Sequence, residues 1–135
     1  MSIHREGKLT AHDGLSIYHQ AWLPDGDAGA AVMLVHGLGE HSGRYAHVAD
    51  ALTGAGYAVH ALDHRGHGRS DGKRVFVKSY DELMRDLSMF RSYVEGEHPG
   101  LPLIVLGQNR YVTWGATTNP FDVTDTFQEL SLIHI

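Results

Sequence analysis

Apolar and polar positions along the chain sort into short segments of contrasting period. Residues 7–10 and 16–22 flank His12-Asp13-Gly14 and read as a β-hairpin around a glycine turn. Leu15, Ile17 and Ala21 fall on one of its faces, and Ser16, Tyr18 and Gln20 on the other. Residues 30–35 form an unbroken apolar run, which suits a strand covered on both faces. Tyr45, Val48, Leu52 and Ala55 then recur at helical spacing, and Gly56 stops the helix. Residues 57–62 are a second short apolar run, followed by a polar, glycine-rich loop over 63–74. Ser79-Tyr80-Asp81-Glu82 is a capping box for a helix running to about Glu97. Leu83, Leu87, Phe90 and Val94 are its predicted buried stripe. Pro99-Gly100 ends it, and 101–106 is a third buried strand. Past Gly107 the period fades, with two Thr-rich patches and Asn119-Pro120.

Buried strands alternating with helices predict parallel crossovers in an α/β fold, a three-layer sandwich entered by an N-terminal hairpin. The run 30–35 is expected to lie between the other two strands. In such sheets function gathers at the carboxyl ends of the strands, here after Val35, Leu62 and Leu106.

Composition narrows the class. A chain of 135 residues is one domain's worth, 42% hydrophobic and 20% charged, which is a globular profile. A net charge of −5 argues against a nucleic-acid partner. The absence of Cys removes disulfides, thiolate metal sites and Cys nucleophiles. No apolar run approaches the ~20 residues of a membrane span, and the first residues have no signal-peptide character. A soluble, cytoplasmic protein is the expectation.

Three places then carry candidate chemistry. His36-Gly37-Leu38-Gly39-Glu40-His41 directly follows a buried strand, where free backbone N–H groups can hold an oxyanion. Gly37 and Gly39 also hint at a dinucleotide loop, with Asp63 on a ribose hydroxyl. The third glycine, Gly43, falls one residue late, so an oxidoreductase remains the lesser reading. Gly68-Arg69-Ser70-Asp71-Gly72 matches G-x-S-x-G, yet it is remote from the strand end and no helix starts at Ser70. It reads as a decoy. His60, His64 and His67 cluster near Asp63 without any metal-site spacing, and they are expected to be structural, with no metal and no cofactor. After Leu103-Ile104-Val105-Leu106-Gly107, where a nucleophile would stand, the chain reads Gln108-Asn109-Arg110.

Taken together, the segment from His36 to Tyr45, the segment from Asp63 to Ser70 and Pro99-Gly100-Leu101-Pro102-Leu103 resemble the monoacylglycerol lipase and lysophospholipase-like branch of the α/β-hydrolases, also labelled serine aminopeptidase. The resemblance covers residues 7–107. It implies the N-terminal part of an eight-stranded α/β-hydrolase fold and a Ser-Asp-His triad acting on a small acyl-ester substrate. It allows peripheral membrane contact in a full-length member. By the same resemblance, Leu38 gives an oxyanion-hole N–H, supported by His36, Gly37 and Gly39. Arg110 stands at the second oxyanion position and Asn109 at the nucleophile. No triad residue is intact, so an inactive fragment is expected, or else a non-catalytic binding protein on a hydrolase shell. Residues 108–135 are expected to be a non-family tail, chimeric or frame-shifted, without a packed role for Trp114, Phe121 or Phe127. Their last six residues, Leu130-Ser131-Leu132-Ile133-His134-Ile135, are what CTG TCT CTT ATA CAC ATC encodes, which resembles a transposase end sequence.

Overall fold

The computed structural model describes residues 2–108, 112–118 and 126–132. Seven strands among them form one sheet in the order β1-β2-β4-β3-β5-β6-β7. The hairpin is β1 (Ile3–Thr10) and β2 (Ser16–Leu23), pairing Thr10 with Ser16 and Ile3 with Leu23. It is longer than the expected 7–22, because alternation in residues 3–6 continues the ladder to the chain's start. β2 pairs antiparallel with β4 (Ala58–Leu62). β4, β3 (Ala31–Val35) and β5 (Leu103–Gln108) run parallel, with β3 between the other two as expected.

The helices cover opposite faces. α1 (Ala46–Gly54), entered through a 3-10 turn at Ser42–Tyr45, packs Ala49 and Leu52 against Val32, Leu34, Val59, Ala61 and Trp22. α2 (Tyr80–Glu97) packs Phe90 and Val94 against Ile17, Ala31, Met33, Leu62 and Leu103. Ser79 caps α2 by accepting from the Glu82 N–H, at 3.4 Å. Glu82 does not return the bond to the cap and reaches Arg65 instead. The buried stripe of α2 differs from the apolar reading. Leu83 and Leu87 are half-buried, whereas Asp86 is fully buried beside Phe90 and Val94. A carboxylate takes that place because a buried Arg65 pairs with it (below).

β6 (Val112–Thr118) and β7 (Thr126–Leu132) add two antiparallel strands beyond β5, where the sequence shows no clear period. Phe121 and residues 109–111 lie outside the described residues, as do the side chains of Trp114 and Phe127.

Candidate active site: a locked turn at the carboxyl edge

The site begins where β3 ends. Val35 pairs with Gly107 of β5, so the turn at 36–41 leaves the sheet beside the carboxyl end of β5. The turn is held from within. The Gly37 N–H donates to Glu40 Oε2 at 2.8 Å, and the Tyr45 hydroxyl donates to the same oxygen at 2.9 Å. Burial alone would raise the Glu40 pKa. These two donors, with Arg44 nearby, hold it below its ordinary value. Gly39 adopts φ +75, and Leu38, between the two glycines, is 78% exposed.

The turn is also locked to the loop after β4. The His64 N–H donates to His36 Nε2 at 2.9 Å, and His64 Nε2–H donates to the His36 carbonyl at the same distance. An acceptor Nε2 leaves the His36 proton on Nδ1, which donates to the Gly37 carbonyl at 2.7 Å. Burial, then the neighbouring His64, push the His36 pKa down to about 4, so the ring is neutral at pH 7. A neutral, doubly bonded imidazole is a spacer for the backbone. It has no free nitrogen with which to act as a base.

The loop after β4 is scaffolding throughout. Both Asp63 oxygens are taken by backbone donors, Ser42 N–H at 2.7 Å and Arg69 N–H at 2.9 Å. Any side chain at Gly68 would collide with that carboxylate, and one at Gly66 would meet the Lys73 carbonyl. Glycine alone allows this close winding. The Ser70 hydroxyl, 3% exposed, donates to the Asp63 carbonyl at 2.6 Å and accepts from the Tyr18 N–H at 2.8 Å. It staples the loop to β2, and no helix starts at Ser70, so the G-x-S-x-G match does not stand on a strand-to-helix elbow. The dinucleotide reading loses its acceptor on the same grounds, because a ribose hydroxyl would have to displace two backbone bonds from a buried Asp63.

Sequence reasoning passed over Arg65, the most elaborate feature of this edge. Its buried guanidinium donates to Asp86 at 2.7 and 3.0 Å and to Asp13 at 2.8 and 3.2 Å, with Glu82 at 3.3 Å. Hydrogen bonds to Arg65 hold the Asp13 pKa down to about 2, while Asp86 and Asp13 raise that of Arg65. The hairpin turn, the β4 loop and α2 are thereby tied together. The available signal was a charged residue, Asp86, placed one residue before Leu87 on an otherwise apolar helical face.

The histidines divide differently from the sequence grouping. His64 and His67 gather with His36, at ring-centroid distances of 4.3 and 5.4 Å from it. His60 lies on the α2 face, with Nε2 2.8 Å from His98 Nε2. Among the described residues, no three His, Asp or Glu side chains converge as a metal site. Asn109 and Arg110 lie outside the described residues.

Comparison with known proteins agrees with this geometry. A family model described as "Serine aminopeptidase, S33" matches residues 26–109. A second, described as "Penicillin amidase", matches residues 96–132. A monoacylglycerol lipase of Mycolicibacterium smegmatis is 44% identical over 108 residues, which is 80% of this chain and 39% of that protein. The human monoglyceride lipase is 38% identical over 75% of this chain and 33% of its own length. Among solved structures, an open-form lipase superposes with a TM-score of 0.71 at 34% identity, covering 79% of this chain and 36% of that one. A thermostable carboxyl esterase from Bacillus coagulans does so at 0.67 and 28%, covering 76% and 35%. The chain thus spans little more than a third of the length of these relatives.

Proposed function

The chain belongs to the serine aminopeptidase S33 family of α/β-hydrolases, and on that premise we propose that it carries the oxyanion half of a carboxylic-ester hydrolase site without the nucleophile. The observation that carries this reading is the locked turn. His36 and His64 bind each other's backbone, and the turn they fix leaves the sheet beside Gly107. The Leu38 N–H is the oxyanion donor, with His36, Gly37 and Gly39 shaping its turn. The substrate class is a monoacylglycerol or lysophospholipid ester, in keeping with the names of the lipases this chain resembles.

The polypeptide is inert in this reading. Asn109 stands where the family places Ser, and an amide nitrogen is a poor nucleophile. Arg110 stands at the second oxyanion position. Residues 108–135 are a segment of different origin from 1–107, a reading supported by the end of the serine aminopeptidase match at residue 109. Hydrolysis of 2-monoacylglycerol by three proteins tests this: the chain, Asn109→Ser, and residues 1–107 joined to the remainder of a family member. Turnover is expected from the third alone. Failure of the third protein, shown to be folded, would sink the assignment of the turn.

A further inference from the structure

β1 is one edge of the sheet: β2 pairs with its inner side, and no described strand pairs with its outer side. Its register against β2 is unbroken from Ile3↔Leu23 to Thr10↔Ser16, so its main-chain groups alternate strictly between the two sides. The hydrogen bonds of β2 fix which residues face out. The Tyr18 N–H donates to the Ser70 hydroxyl, and the Tyr18 carbonyl accepts from the Asp63 N–H. Ser16 bonds Asp71 through both of its main-chain groups. Both residues therefore turn their main chain away from β1. Their partners Lys8 and Thr10 turn outward in the same way, and by alternation so do Glu6 and His4. Among the described residues, the N–H and C=O groups of these four form an unpaired ladder along an exposed strand.

Charge selects the register in which a second copy of this strand fits. Two such ladders meet antiparallel only where even-numbered residues oppose each other. Pairings centred on Arg5, Glu6 or Lys8 set that residue against itself, like charge on like charge. The pairing centred on Gly7 sets Glu6 against Lys8 on both sides of the axis, His4 against Thr10 and Arg5 against Leu9, so residues 4–10 of each copy take part. Glycine stands at that axis because the His19 ring crosses the strand there: a Cβ on Gly7 would lie 2.9 Å from His19 Nε2. The two charges are ready for a partner. Glu6 is oriented through Oε1 alone, by the Tyr18 hydroxyl at 2.9 Å and Arg69 at 3.4 Å, and Lys8 makes no ion pair among the described residues. Charges on a free edge ordinarily repel a second strand. Here their alternating sign refuses three registers and admits one.

We propose that β1 is the interface between two copies of this chain, joined antiparallel about a two-fold axis at Gly7, so that the sheet continues from one copy into the other with Glu6 of each paired to Lys8 of its mate. A single pair of strands buries less surface than a standard interface, so the dimer is weak and reversible. The inference is independent of ester hydrolysis, since none of these residues belongs to the turn after β3.

The test is sedimentation equilibrium of the 135-residue chain over roughly 5 to 500 μM, the range of a weak interface. A reversible monomer–dimer equilibrium is expected. Lys8→Glu sets like charges together on both sides of the axis, as does Glu6→Lys, and each alone should weaken dimerisation about tenfold or more. An equimolar mixture of these two variants should restore it, because every Glu then faces a Lys, and that recovery shows both to be folded. Lys8→Pro removes one outward N–H and no bond to β2. It should abolish the dimer while the far-ultraviolet circular dichroism stays that of the parent. A monomer at every concentration, a dimer that persists in all three variants, or a mixture that does not recover would overturn the proposal.

Discussion

Ser70 illustrates how a side chain can match a catalytic string while its hydroxyl is spent on holding the backbone together. Its oxygen both donates and accepts in a buried network, so Ser70→Ala should cost ~1–3 kcal/mol in urea unfolding by leaving the Tyr18 N–H without its acceptor. Unchanged stability would show that the hydroxyl is not the staple described. Arg65 is the larger case. Asp86→Ala leaves a buried guanidinium with only the partly exposed Asp13 and Glu82, and a loss of about 3 kcal/mol is expected by the same measurement. That Ser70 stands at no elbow was legible in the sequence, from its distance to the strand end, but its bond to the Tyr18 N–H was not. The Arg65 network was not. It joins residues 13, 65, 82 and 86, which no local period brings together. The pairing of His36 with His64 was hidden for the same reason, since each reads alone as a loop histidine.

Among the elements, periodicity located β1 to β5, α1 and α2, because each pairs a run of apolar residues with a local stop. The Ser79 cap was legible from its box, although Glu82 takes a tertiary partner in place of the reciprocal bond. Ser79→Ala should therefore cost only ~0.5–1 kcal/mol, at the low end for a cap, read from the urea midpoint. The buried face of α2 was misjudged at Asp86 because a hydrophobic count cannot register a carboxylate that is buried with its partner. β6 and β7 escaped detection for a different reason. Mixed Thr, Gly and polar residues give no alternation, and their order comes from pairing on the open edge of β5.

At the scale of the molecule, the histidines link stability to pH. Burial foremost pushes His36 down to about 4 and His60 to about 3, from an ordinary 6.5. The unfolded chain binds protons to these rings before the folded one does. Their contribution is full above about pH 6.5 and is lost as pH falls towards 4 and then 3. The urea midpoint at pH 7.5 should exceed that at pH 5, and a midpoint flat across that interval would contradict the neutral, buried assignment. The fold as a whole brings the turn after β3 and the loop after β4 to one edge of the sheet, beside the carboxyl end of β5.

The most direct measurement is p-nitrophenyl butyrate hydrolysis by the 135-residue chain, run beside its Ser70→Ala variant. Removing the triad of a model serine hydrolase costs on the order of 10⁶-fold in rate. No turnover above buffer is expected for either protein, and none for Asn109→Ser, since His36 spends both ring nitrogens on backbone. Robust hydrolysis by the chain that disappears in Ser70→Ala would contradict it, and would make the buried staple the nucleophile.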